Sequence, residues 1–320
     1  MRWLRFGKIA ALAALPALAG CDLVELAAPA RFQEDFEFTR PLNPGGRLAV
    51  ENSNGSIEIQ VWDEDEAQIR GVKFASSKKL LDLIEIDVAG SGDFVRVRTV
   101  KPSGRFGSMG ARYTIRVPHG AVLDPLITTN GTITVTGDVG GVRARTSNGR
   151  VKIAGASGDV EIQTSNGSIT CTEIEGDARL STSNGAIRVD GLKGRLRAKT
   201  SNGSVKARIE PGPGPEPIEI RTSNGAISLT LQAPPAADVI VTTSNASITV
   251  RAPESLRARL RLRSTNGAVS ADFEVAGAGE RSKRRLEGLV NGGGPLVELT
   301  TTNGTVRLLK LGPETQAEEL

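Results

Sequence analysis

Side chains that usually carry chemistry are scarce in this 320-residue chain, which has one histidine, two cysteines and only 3% aromatic residues. A Ser-His-Asp triad would have to use the single histidine, His119 in Val-Pro-His-Gly, and no pair of His or Cys ligands offers itself for zinc. Beyond residue 20, Trp62 and Tyr113 are the only Trp and Tyr, so a sugar-cleaving groove with clustered carboxylates and aromatic platforms has little to be built from. Asp63-Glu64-Asp65-Glu66 lacks the Asp and Gly spacing of a calcium loop. Gly292-Gly293-Gly294 runs into Pro295 and a strand instead of a helix, which excludes a phosphate loop. A charge excess is missing too. Of 40 basic residues, Arg2, Arg5 and Lys8 lie in the N-terminal segment, leaving 37 against 36 acidic ones and no footprint for specific nucleic-acid recognition. No catalytic residue, metal or cofactor is expected.

Repetition is abundant instead. Ten times a short apolar strand leads into Thr-Ser-Asn-Gly or a near copy and on into a second strand. The asparagines are Asn54, Asn130, Asn148, Asn166, Asn184, Asn202, Asn224, Asn245, Asn266 and Asn303, spaced by 18 residues from Asn130 to Asn202. Self-similarity at a fixed period marks a stacked repeat architecture. Six and four residues before the Asn the chain is apolar almost throughout, as at Val160 and Ile162 or Leu196 and Ala198. The pattern resumes three and five residues after it, as at Ile187 and Val189. Period-two alternation buries one face of a strand, so each repeat is two short strands around Asn-Gly. A second glycine recurs ten residues after the Asn, at Gly140, Gly158, Gly176 and Gly194. Tolerance of positive φ is the expected reason for glycine at both corners. Cys171 occupies a position where other repeats carry Val or Ile, and reads as a small core residue.

Asn-Gly between alternating strands is also the strongest short hairpin signal, so an antiparallel meander competes with a parallel β-solenoid. Identical corners favour the solenoid. Stacked about 4.8 Å apart, they let asparagine side chains hydrogen-bond in a column, and a meander gives no such reward. The expected structural ladder is Asn130, Asn148, Asn166, Asn184, Asn202, Asn224, Asn245, Asn266 and Asn303. Asn and the Thr two residues before it share parity with the buried pair, which predicts that both point inward. A membrane barrel is disfavoured because the outward positions are charged. Longer spacings of 22, 21 and 37 residues place the inserts 211–217, 233–235 and 276–294 on the side away from Asn-Gly.

At the N-terminus, Arg2, Arg5 and Lys8 precede the apolar stretch Ile9 to Ala19, too short to cross a bilayer, which takes about 20 residues. Leu18-Ala19-Gly20-Cys21 resembles the lipobox of bacterial lipoproteins. That resemblance implies cleavage before Cys21 and acylation of Cys21, giving a lipid-anchored envelope protein, periplasmic or on the outer surface. Cys171 is then the only remaining thiol, so no internal disulfide is possible. The expected division is a signal peptide at 1–20, a tether at 21–34, an N-terminal β cap with degenerate coils at 35–120, a regular solenoid at 121–311 and a polar tail at 312–320. Phe32, Phe36 and Phe38 are candidates for covering the first coil.

Gly45-Gly46-Arg47-Leu48-Ala49-Val50-Glu51-Asn52-Ser53-Asn54-Gly55-Ser56-Ile57, the step Tyr113-Thr-Ile-Arg-Val-Pro118, the Thr-Ser-Asn-Gly series and Gly292-Gly293-Gly294 before Thr301-Thr302-Asn303-Gly304 together resemble the bacterial β-strand-repeat, adhesin-like family over residues 35–311. The resemblance implies a right-handed β-solenoid, exported or membrane-tethered, with no established catalytic residues. Asn245 departs from the pattern, being followed by Ala246.

Outward positions carry Arg143, Arg145, Lys152, Arg179, Arg188, Arg197, Lys199, Lys206 and Arg221. As a stripe they would hold an anionic envelope polymer such as lipopolysaccharide or teichoic acid. The competing reading is a set of solvated strand residues that discourage aggregation, with Arg281 to Arg285 a further exposed loop. The expected function is therefore an adhesion or scaffold module whose partners are the membrane and an anionic polysaccharide or another envelope protein. The rival is a carbohydrate-active parallel β-helix enzyme.

Overall fold

The computed structural model describes residues 32–102, 108–277 and 281–312. The expected signal peptide, the expected lipidation at Cys21, most of the expected tether and residues 313–320 of the expected tail lie outside them.

Each repeat is one coil of an all-β parallel solenoid with two sheets. Strands before the Asn corner form a leading face. Gly141–Arg145, Val160–Gln163, Ala178–Ser181, Leu196–Lys199 and Ile218–Arg221 stack there in parallel, with Val142, Val160, Ala178, Leu196 and Ile218 in register. Strands after the corner form a trailing face. There Val151–Ala156, Ile169–Glu175, Ile187–Lys193, Val205–Ile209 and Ile227–Leu231 align Val151, Ile169, Ile187, Val205 and Ile227. The meander is thereby excluded: neighbouring repeats run parallel. The alternating apolar positions of both faces fill one continuous core, in which Ile162, Ile169, Ile187 and Leu229 are buried. Cys171 lies among them between Ile153 and Val189, and burial pushes its thiol up to about 12, which keeps it protonated and unreactive at neutral pH.

Layers do not follow chain order at either end. In the leading face, residues 47–51 lie between 94–98 and 122–127, so the Asn54 coil is an internal layer. The chain makes that coil, steps outside it to lay down residues 94–118, then steps back over it to resume at Val122. At the far end Leu296–Thr301 pairs with Val239–Thr242 on one side and Ala258–Ser264 on the other. Val306–Lys310 likewise sits between Ile248–Ala252 and Val269–Ala271. The last coil made is thus slotted beneath the one made before it.

Both ends are closed by antiparallel strands. Residues 32–41 pair with Glu66–Ala75, which pairs in turn with Met109–Pro118. Phe36 packs edge-on against buried Tyr113, ring centroids 5.5 Å apart. At the other end Arg285–Val290 covers Ala258–Ser264. The described part of the 276–294 insert is therefore more than a surface loop, and within it Arg281 to Arg285 form the exposed turn of an antiparallel hairpin.

Candidate functional site

The Thr-Ser-Asn-Gly corner is the most repeated surface. Nine Asn Nδ2 groups each donate to the Asn Oδ1 of the adjacent layer at 2.7 Å. The column runs Asn54, Asn130, Asn148, Asn166, Asn184, Asn202, Asn224, Asn245, Asn303, Asn266, so Asn54 belongs to it and the last two stand in reverse of chain order. The column faces solvent: Asn130 through Asn303 are exposed, contrary to the inward orientation expected from parity. Parity fails because the chain bends between Thr and Asn, and only the Thr remains inside. Thr182, 4% exposed, accepts the Gly185 N–H at 3.2 Å and donates to the Gly167 carbonyl of the layer below at 3.0 Å. The same pair of bonds recurs at Thr146, Thr164, Thr200 and Thr222.

Glycine is required at these corners for closeness. The corner glycines from Gly131 to Gly225 are absent from the positive-φ residues, whereas a Cβ on Gly149 would lie 1.7 Å from the Gly131 carbonyl oxygen. At the opposite corner a Cβ on Gly158 would meet the Gly140 oxygen at 1.6 Å. Backbone stacks on backbone there, which corrects the expectation built on left-handed conformations at the corners other than those of Gly55 and Gly194, whose φ is positive. Beside that corner, aspartates cap successive layers, Asp159 accepting the Asp177 N–H at 3.0 Å and Asp177 the Arg195 N–H at 3.2 Å.

Thr182→Val is expected to destabilise the array by about 1–3 kcal/mol in urea unfolding, because a donor and an acceptor are left buried without partners. Asn184→Ala, whose partners water can replace, is expected to cost under about 1 kcal/mol. Equal losses would contradict the assignment of Thr as the buried connector.

The basic positions do not form a single stripe. Arg143, Arg145, Arg179, Arg197, Lys199 and Arg221 are on the leading face, and Lys152, Arg188 and Lys206 on the trailing face. Several are already matched by carboxylates of a neighbouring layer or of their own strand. Arg143 pairs with Asp124 and Glu161 at 3.3 Å each, and Glu219 takes Arg197 at 3.0 Å and Arg221 at 2.7 Å. A depression of about 580 Å³ on the trailing side holds Asp138, Glu173, Lys193, Arg208 and Glu210, its cations again paired, Lys193 with Glu175 at 2.6 Å and Arg208 with Asp190. His119 Nε2 lies 3.1 Å from Asp63 Oδ1 on open surface. Among the described residues no three His, Cys, Asp or Glu side chains are grouped to hold a metal ion. The cations that do crowd one surface were passed over in the spacing: Arg257, Arg259, Arg261 and Arg263, on the outermost parallel strand and its approach. Their strict alternation was the available signal.

A two-sheet parallel coil, zipped by polar columns at its corners and closed by antiparallel caps, defines a β-solenoid scaffold. The chain belongs to the Toastrack DUF4097 family, which matches residues 46–309 and bears out the resemblance carried by the repeat motif. Similar solved structures include a candidate cell adhesion protein from Clostridium sporogenes, 12% identical, covering 87% of this chain and 100% of that one at a TM-score of 0.24. A candidate adhesin from Bacteroides fragilis is 10% identical over 88% of this chain and 99% of that one, at 0.35. One from Parabacteroides distasonis is 7% identical over 88% and 97%, at 0.32. No curated protein matches the chain.

Proposed function

We propose that this chain is a lipid-anchored envelope protein whose solenoid acts as a non-catalytic adhesion or scaffold module, engaging an anionic envelope polymer or a second envelope protein. The observation that carries the reading is the geometry of attachment. The described chain starts at Phe32 in the N-terminal cap, so a tether from Cys21 meets one end of the stack. Twelve leading-face strands at about 4.8 Å spacing hold the other end roughly 50 Å away. A short tether on a stiff rod suits presentation at a distance from a membrane. Two or more acyl chains on Cys21 suffice to hold it there.

Cys21→Ala is expected to move most of the protein from the membrane to the soluble fraction and to abolish labelling by radioactive palmitate. Retention of the variant in the membrane with its label intact would overturn the anchor.

A further inference from the structure

We propose that the C-terminal end of the stack is the site at which this module takes a polymeric oxyanion, an extended chain bearing phosphate or carboxylate groups. The proposal rests on the polymer-binding reading above and locates it. Along the outermost parallel strand and its approach, Arg257, Arg259, Arg261 and Arg263 alternate with buried Ala258, Leu260 and Leu262, so all four point outward. Steps of two residues put them about 6.8 Å apart, a row of roughly 20 Å. The capping strand sets Arg285 directly opposite Arg263, and its turn adds Lys283 and Arg284, whose carbonyls accept the Val269 and Ser264 N–H groups.

Among the described residues seven cations therefore gather at this end of the leading face, and the carboxylates paired with them are two. Glu287 receives Arg263 at 2.8 Å, Arg285 at 3.1 Å and Arg261 at 3.9 Å, while Glu298 receives Arg261 at 3.6 Å. The guanidiniums of Arg263 and Arg285 hold the Glu287 carboxyl below its usual range. Seven against two leaves a surplus of five. Among the described residues Arg257, Arg259, Lys283 and Arg284 have no ion-pair partner, and Arg263 Nε is buried without an acceptor. Elsewhere on the leading face carboxylates sit next to most cations, as at Arg143 and Glu161 or Arg197 and Glu219, although Arg179 stands opposite Arg197 and Lys199 opposite Arg221. Arg263 and Arg285 lie directly across a strand pair, where like charges are destabilising, and the single Glu287 carboxylate bridges both. Guanidinium forks fixed around Glu287 are preorganised for such groups, and the free cations along the row give a polymer several further contacts. The face is also the end of the rod away from the tether.

The test is binding of the full chain in detergent micelles to fluorescent inorganic polyphosphate and, separately, to polygalacturonate, across a salt series. In the variant R257Q/R259Q/K283Q/R284Q all the replaced side chains are exposed and no ion pair among the described residues is removed, so its melting should match the parent. It is expected to bind at least one of the polymers about tenfold or more weakly, with the slope of log K against log salt reduced by about three, near 0.7 for each cation removed. A control, R145Q/K152Q/R188Q/K199Q, takes four cations from the two long faces and should stay within about twofold. Whichever polymer responds identifies phosphate or carboxylate as the group recognised. Equal losses in both variants would overturn the site but leave polymer binding in place, and failure of the parent to bind either polymer would remove both. Concentration-dependent self-association that disappears in the first variant would reassign the face to a second copy of the chain and likewise overturn the proposal.

Discussion

Deletion of residues 295–320 is expected to dissolve the whole C-terminal end of the stack, residues 254–290 included, instead of trimming one coil. Among the described residues, Ala258–Ser264 and Val269–Ala271 pair with the parallel stack only through Leu296–Thr301 and Val306–Lys310. Without that layer, the gap it fills separates the outer coil from Val239–Thr242 and Ile248–Ala252. Val297, Leu299, Val306 and Leu308 are lost outright, and Leu256, Leu260, Leu262, Phe273 and Leu286 lose the core they pack on. Burial of each such side chain contributes roughly 1.5–3 kcal/mol, so a detached cap cannot stay ordered on its own antiparallel pairing. Hydrogen exchange should show amides of 258–271 unprotected in the truncated chain while those of 151–209 keep their protection, since a stacked array transmits loss only to neighbouring layers. Persistent protection of 258–271 would mean that the outer coil docks without the inserted one.

Gly185→Ala is expected to cost more than any change on the exposed ladder. The added Cβ would lie 1.8 Å from the Gly167 carbonyl oxygen and 2.4 Å from its carbon, backbone atoms held by the layers on both sides. Relief requires two coils to part locally, stretching the bonds that Thr182 and Thr200 make to Gly167 and Gly185. Forced overpacking of this kind costs about 1–3 kcal/mol or more, and Gly185→Val should exceed it. The chain contains its own precedent for a partial accommodation. Ala246 stands at the equivalent corner, where Thr243 still donates to the Gly225 carbonyl at 3.1 Å but, among the described residues, accepts nothing from the Ala246 N–H. That corner adjoins the layer where the inserted coil enters. An unchanged urea midpoint for Gly185→Ala would show that the corners are looser than their geometry.

What the sequence made legible was the chemistry of a single coil. Period-two alternation correctly placed Val160 and Ile162 or Ile187 and Val189 in the core, and the identity of the corners correctly favoured parallel stacking over hairpins. Three things were hidden, each for a physical reason. The order of layers was hidden because the Asn266 and Asn303 coils carry equivalent patterns, and exchanging two equivalent layers leaves every spacing unchanged. The outward turn of the asparagines was hidden because parity counts only along a straight strand. The need for glycine was ascribed to φ because a single repeat contains no information about the backbone of the next one, which is where a Cβ would collide. The basic stripe dissolved for a related reason: alternate positions before and after a corner belong to different sheets, so Arg143 and Lys152 face different ways while Arg257 to Arg263 share one strand face and its approach.

Engineered disulfides at the ladder corner test most directly whether parallel layers stack in register with the last coil inserted. The Asn303 N–H donates to the Ser244 carbonyl at 2.8 Å, and the Asn266 N–H to the Thr302 carbonyl at 2.8 Å, so position 302 is one layer, about 5 Å, from both 244 and 265. Positions 244 and 265 are two layers, about 10 Å, apart, beyond the reach of a disulfide. In a background with Cys171 replaced by Val, S244C/T302C and T302C/T265C are expected to oxidise readily and S244C/T265C to remain reduced. Efficient closure of S244C/T265C with S244C/T302C left open would mean that the coils stack in chain order, and failure of all three pairs would contradict in-register stacking at this end of the molecule.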